Sequence, residues 1–282
     1  MRYCRILTQA GPRYADVVER DGELWVERIL PPKEEARRPY NAHDVDWWPI
    51  RLVEAHLLAP VEPGKIVCIG RNYRDHAKEL GNDVPAEPLL FLKAPSAVIG
   101  PGEAIVLPPQ SSRVDFEGEL GVVIGKHASR IGPDEDVRSY IRGYTIVNDV
   151  TARDLQKSDG QWSRAKGFDT FCPIGPFVSD EVDVEAGLTV ETRLNGQVKQ
   201  SGSTRDLIFP VAELLRYITA AMTLLPGDVI PTGTPAGVGP MQAGDRVEVA
   251  IKGLGGKGLA GEGLGGKGLG SLGNPVIAAP AE

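Results

Sequence analysis

The chain has 282 residues and a mass of 30.3 kDa, enough to bury a sizeable core as one large domain or one domain with a smaller attachment. A formal net charge of −7 and a pI near 5.3 argue against the concentrated basic face of a nucleic-acid binder, so an anionic ligand must meet local positive charge. No run approaches the roughly 18 apolar residues of a membrane span, and the opening MRYCRILTQAG lacks the apolar core of a signal peptide; a cytoplasmic protein is expected.

Residues 14 to 29, YADVVERDGELWVERI, read as two short strands around an Asp21-Gly22 turn, since Asp-Gly supplies the positive φ angles of tight hairpins. Two prolines and a glycine in APVEPGK (59 to 65) interrupt regular structure and place a boundary near residue 60: a small β-rich unit over 1–60, a larger domain over 61–282. KIVCIG then reads as a buried strand. Further β-like runs follow in LLFLK, AIVLP, ELGVVIG, GYTIVNDV, LTVETRLNG, DVIPTG and DRVEVAI. Helices are expected only over 73–80, 151–156 and 209–222. The pattern is α+β and β-rich, without the regular strand–helix alternation of a parallel α/β fold. Residues 253–273 repeat GLGGKGL at a ten-residue period and can bury little apolar surface, so they are expected as a floppy hairpin extension between two strands. GEGLGGKG, starting at Gly261, approaches a phosphate-binding loop, but Gly268 stands where a magnesium-binding hydroxyl belongs. The cysteines Cys4, Cys68 and Cys172 include no CxxC pair and are expected as buried thiols.

Chemistry concentrates in DFEGELGVVIG (115 to 125). Side chains alternate along a strand, so Glu117 and Glu119 share a face about 7 Å apart, and both can reach one point in front of it. That spacing also fits a solvated acidic edge. A third carboxylate, Asp149, ends the run GYTIVND, and an all-oxygen trio favours magnesium, manganese or calcium over zinc. His76 and Glu79 lie three apart on the expected helix 73–80, where they are neighbours. Glu79 can fix the imidazole tautomer so that the other nitrogen accepts a proton from water, although HxxE also fits a surface pair. Lys166 sits in the Gly- and Pro-bounded stretch SRAKGFDTFCPIGP, expected as a loop. Arg153 follows Asp149 by four residues. IPTGTPAGVG (230 to 239) offers two hydroxyls and backbone N–H groups able to hold an anion, or only a tight turn.

Taken together, GRNYRDHAKE, FEGELGVVIG, NDVTARDLQ, the Lys166 stretch and GDVIPTGTPAGVG resemble, in their order, the fumarylacetoacetate hydrolase family. The likeness covers roughly residues 60 to 250 and the final LGNPV. The resemblance implies a mixed β-sandwich roll with a small N-terminal β domain, and a homodimer. It implies a magnesium or manganese ion on Glu117, Glu119 and Asp149. By the same resemblance His76 and Glu79 order the attacking water and Lys166 binds substrate; Arg153, Gln156 and Thr232 lie near the bound 2-oxo acid. Asp115 has no ligand role and is expected behind the ligands or in solvent. The reaction implied is metal-dependent hydrolysis of a carbon–carbon bond in a 2,4-dioxo acid, with oxaloacetate decarboxylation or isomerisation of a hydroxydienedioate as alternatives. A non-catalytic metal-dependent carboxylate binder, or a structural β protein with an acidic surface, is the alternative outside enzymes.

Overall fold

In the computed structural model, which describes residues 1–253 and 268–280, strands outweigh helices by 42% to 15%. The architecture is the β-rich α+β class expected. The Asp21-Gly22 pair turns Gly11–Arg20 into Glu23–Ile29 through φ values of +51° and +82°.

The largest sheet runs from these N-terminal strands through Arg2–Thr8 to Cys172–Ser179, then Ile141–Asn148, Gly118–Ile124, Val229–Pro231, Ile66–Gly70 and Leu89–Lys93. Its neighbours are antiparallel except where Val229 meets Ile66, and where Val98–Ile99 joins Cys172–Ser179, in parallel register. A five-stranded sheet orders Gln197–Ser203, Leu188–Leu194, Arg246–Gly253, Gly268–Ala278 and Ile105–Leu107. A small third sheet joins Val114–Phe116 to Thr151–Ala152 and Gly239–Pro240.

Strand Gly118–Ile124 is buried along its whole length, and alternation divides its work. Leu120, Val122 and Ile124 share one face. Leu120 packs with Ile146 and Phe177 against Val190, Val249 and Leu272 of the five-stranded sheet. Val122 and Ile124 pack with Leu214, Leu215 and Ile218 of helix Val211–Ala221, the apolar stripe read from the sequence. Glu119, Gly121 and Val123 face the other way.

Four local expectations need correction. Lys166 lies in a short helix, Ser163–Gly167, where a loop was expected. The next stretch, Cys172–Ser179, is a fully buried strand despite Pro173, Gly175 and Pro176, because it is paired on both sides, by Ile141–Asn148 and Arg2–Thr8. The helix expected from Thr151 starts at Arg153, since Thr151 and Ala152 pair with Asp115 and Val114. Of the glycine repeat, 254–267 lies outside the described residues, and from Gly268 onward the chain is already strand, paired with Arg246–Gly253. All three cysteines are buried and unbridged.

Candidate active site

The strand carrying the acids is interrupted at Glu117, between Val114–Phe116 and Gly118–Ile124. Asn148 bridges the break by accepting the Glu117 N–H at 2.9 Å, and the Asp149 N–H donates to the Glu117 carbonyl at 2.8 Å. This brings Asp149 beside the two glutamates: ligand oxygens of Glu117, Glu119 and Asp149 lie within 4.8 Å of one another, all three side chains buried. No room exists for bulk at the turning point. A Cβ on Gly118 would stand 2.1 Å from Thr192 Oγ1 and 2.8 Å from Val249 Cγ1.

Buried carboxylates this close require compensation. Lys166 Nζ bridges Glu117, at 2.7 Å, and Asp149. Arg153 donates to Asp115 at 3.0 Å, to Gln156 Oε1 at 2.7 Å and to Glu117. Asp115 is fully buried behind the ligands, where Arg113 also holds it at 2.9 Å; the solvated alternative is ruled out. Lys93, at the end of strand Leu89–Lys93, donates to Asp149 Oδ1 at 2.7 Å and to the Val150 carbonyl at 3.1 Å.

Glu119 is different. It accepts one hydrogen bond, 2.7 Å from the Gly233 N–H, and no cation partners it among the described residues. Burial, then the Asp149 and Glu117 charges, push its carboxyl well above the usual range. Burial acts the same way on Glu117, but Lys166 and Arg153 outweigh it and hold that carboxyl below the usual range. Burial lowers the Lys166 amine, yet Asp149 and Glu117 raise it overall, so the amine stays charged. One under-compensated carboxylate among three convergent oxygens fits a hard divalent cation better than a further hydrogen bond.

His76 and Glu79 fall on helix Arg74–Glu79 as expected, His76 Nδ1 being 3.4 Å from Glu79 Oε2. His76 is 4% exposed. Burial lowers its pKa from the ordinary 6.5, with Glu117 and Glu79 opposing. The backbone N–H groups of the glycine-rich turn do hold carboxyl groups, and they are the protein's own. Gly233 holds Glu119, and the Gly237 N–H reaches both Glu79 oxygens at 3.1 Å.

A cavity of about 60 Å³ is lined by His76, Glu117, Glu119, Asp149, Arg153, Gln156 and Lys166, with Phe91 and Trp162 as aromatic walls. Thr232 is not brought to it. Its hydroxyl and N–H both meet the Leu120 carbonyl, at 3.0 Å, and Thr234 lines the cavity instead. Lys93 and Gln200 were missed by the sequence reading. Gln200 accepts the Gly118 N–H at 3.0 Å and donates to Thr234 and Pro235, tying the ligand strand to the glycine turn. Lys93 carried a weak signal, a charge closing an apolar strand on the same face as Phe91; Gln200 carried none.

The family model described as fumarylacetoacetate (FAA) hydrolase C-terminal matches residues 65–277. Among similar proteins, a 2,4-didehydro-3-deoxy-L-rhamnonate hydrolase of Sphingomonas is 40% identical over 269 residues, covering 90% of this chain and 94% of its own. The oxaloacetate tautomerase YisK of Bacillus subtilis is 40% identical over 247 residues, covering 83% and 82%. The crystal structure of a 2-hydroxyhepta-2,4-diene-1,7-dioate isomerase from Mycobacterium marinum superposes with a TM-score of 0.81, at 40% identity and full coverage of both chains. These relatives share a fold and differ in reaction. The sequence, the sheet architecture and the family match agree that this chain belongs to the fumarylacetoacetate hydrolase family.

Proposed function

We propose that the protein hydrolyses a carbon–carbon bond in a 2,4-dioxo acid of acylpyruvate or fumarylpyruvate type, releasing pyruvate or a related 2-oxo acid. The observation that carries this is the placing of a buried imidazole, braced by Glu79, on the same cavity as the carboxylate triad. A magnesium or manganese ion on Glu117, Glu119 and Asp149 would supply a Lewis acid for the 1-carboxylate and 2-oxo oxygens. With Nδ1 donating to Glu79, Nε2 is left to take a proton from water. That water adds to the 4-carbonyl carbon. The C3–C4 bond breaks, its electron pair remains on the pyruvate fragment as an enolate, and a proton returned to C3 completes the 2-oxo acid. Lys166, kept charged by its two carboxylates, faces the developing negative charge. Arg153 and Gln156 form one hydrogen-bonded unit on the cavity wall and would orient the substrate carboxylate.

The confined cavity favours a small acid, and this supports oxaloacetate decarboxylation or tautomerisation as the second reading. Metal-stripped protein, returned to magnesium or manganese, would be assayed for pyruvate release from acetylpyruvate and fumarylpyruvate, and in parallel for carbon dioxide release and keto–enol exchange of oxaloacetate. Metal-dependent pyruvate with the matching carboxylic acid is expected. Activity on oxaloacetate alone would replace hydrolysis with the second reading. Among the described residues no helix is long and apolar enough to cross a membrane. Our further reading of a cytoplasmic protein rests on the sequence and that of a homodimer on family resemblance; light scattering would test the assembly.

A further inference from the structure

Three cationic side chains besides His76 could meet an anion in the cavity: Arg71, Arg153 and Lys166. Arg153 and Lys166 each already bridge two carboxylates. Among the described residues, Arg71 has no ion pair and its side chain has no hydrogen bond within the protein. A half-buried arginine left without a partner on the wall of a small cavity is a ready receptor for a carboxylate, which it can take with two parallel N–H groups.

The backbone reinforces this. Arg71 has φ +56°, a left-handed conformation that glycine adopts freely and a residue with a Cβ only at a cost. Asp21 and Asn195 share that conformation, but each precedes a glycine in a hairpin turn; Arg130 and Thr170 share it too, in loop positions that do not line the cavity. Arg71 instead lies between the buried strand Ile66–Gly70 and Asn72. The Asn72 amide donates to the Phe209 and Thr232 carbonyls, and its oxygen accepts the Phe209 N–H. Both neighbours are thus pinned, and the strained position presents an arginine to the cavity where a glycine would sit without strain.

Resting on the 2-oxo-acid reading above, we propose that Arg71 receives the distal carboxylate of a short dicarboxylic 2-oxo acid whose proximal carboxylate and oxo group face Glu117, Glu119 and Asp149. Arg71 would then set preference for dicarboxylates over monocarboxylates of equal length.

Titration calorimetry on manganese-loaded protein with 2-oxoglutarate and 2-oxopentanoate, two five-carbon acids differing in the distal carboxylate, tests this. The wild type is expected to bind the dicarboxylate about ten- to a hundredfold more tightly, the range of a charged hydrogen-bonded pair. Arg71→Gln should remove that ratio by weakening 2-oxoglutarate alone, and Arg71→Lys should keep part of it. Arg71→Gly suits φ +56° and should unfold at or above the wild-type temperature, so lost selectivity in that variant is not a folding defect. Equal binding of both acids by the wild type, or a preference surviving in Arg71→Gln and Arg71→Gly, overturns the assignment. If metal-loaded wild type binds neither acid, the 2-oxo-acid reading fails first and this inference fails with it.

Discussion

Glutamate 119 offers the sharpest test of the carboxylate triad. It is 2% exposed, and the ligand oxygens of Glu117 and Asp149 lie within 4.8 Å. At that separation two unit charges repel by about 3 kcal/mol at an effective dielectric near 20. Lys166 offsets the other two acids and leaves Glu119 with one backbone N–H, so without a cation Glu119 keeps its proton to a higher pH than an ordinary glutamate. Glu119→Gln mimics the protonated residue, so its metal-free unfolding temperature should match wild type at about pH 4 and lie above it as pH rises, because the unfolded wild-type chain gains by ionising and the glutamine cannot. Adding manganese at a hundredfold excess over its dissociation constant should stabilise the wild type by about 2.7 kcal/mol. For a chain of this size that is roughly 5 °C in Tm. The variant should gain almost nothing at the same concentration, as read by differential scanning calorimetry of stripped protein. The pH dependence has a definite sign. Folded, metal-free wild type holds a proton that the unfolded chain releases above about pH 4.3, so its stability falls as pH rises from there through the raised value of Glu119. Glu119→Gln lacks that component of the slope. A full metal shift in the variant, or severe destabilisation of its metal-free form, would refute the reasoning.

Four further outcomes follow from the geometry. His76→Ala should lower turnover of a dioxo acid by about 10²- to 10⁴-fold while leaving the manganese shift in Tm intact, and unimpaired turnover would remove His76 from the chemistry. Because burial lowers the His76 pKa, wild-type turnover should decline on the acid side only below the ordinary 6.5; an acid limb assigned to His76 above pH 7 would contradict that environment. Arg153→Met leaves Asp115 and Glu117 short of a cation in the interior and should cost about 3–5 kcal/mol in urea unfolding, whereas an unchanged midpoint would show the ion pairs to be idle. Gly118→Ala forces a methyl group onto Thr192 and Val249 and should cost about 1–3 kcal/mol, partly recovered by adding Thr192→Ala; no recovery would place the strain elsewhere.

The acids were legible because strand alternation fixes which side chains share a face. Asp149 was legible from the end of its own strand, and His76 and Glu79 from helical spacing. What remained hidden comes from contacts distant in sequence. Lys93 meets Asp149 56 residues away, the Gly233 N–H meets Glu119 114 away, and the Gly237 N–H meets Glu79 158 away. No local period encodes such pairs. The same limit explains Cys172–Ser179, whose prolines and glycine signal a break locally while pairing on both sides makes it a buried strand. Thr232 misled for a simpler reason. In the Thr-Gly-Thr run, one hydroxyl lies on the strand and the other on the cavity wall, and composition does not distinguish them.

The seating of Arg2–Thr8 beside Cys172–Ser179 bears on how the chain is made. A ribosome adds about 5–20 residues per second, so the N-terminal hairpin waits on the order of ten seconds for its neighbour to emerge. Glu119 waits a comparable time for Gly233. Over that interval the nascent chain carries an unclaimed sheet edge and a knot of acids with few of their eventual partners. Contacts this remote in sequence make folding slow and expose it to mispairing on the way. Catalytic competence is therefore acquired late in synthesis, and a truncation before Gly233 yields a polypeptide with most of its strands and no working cleft.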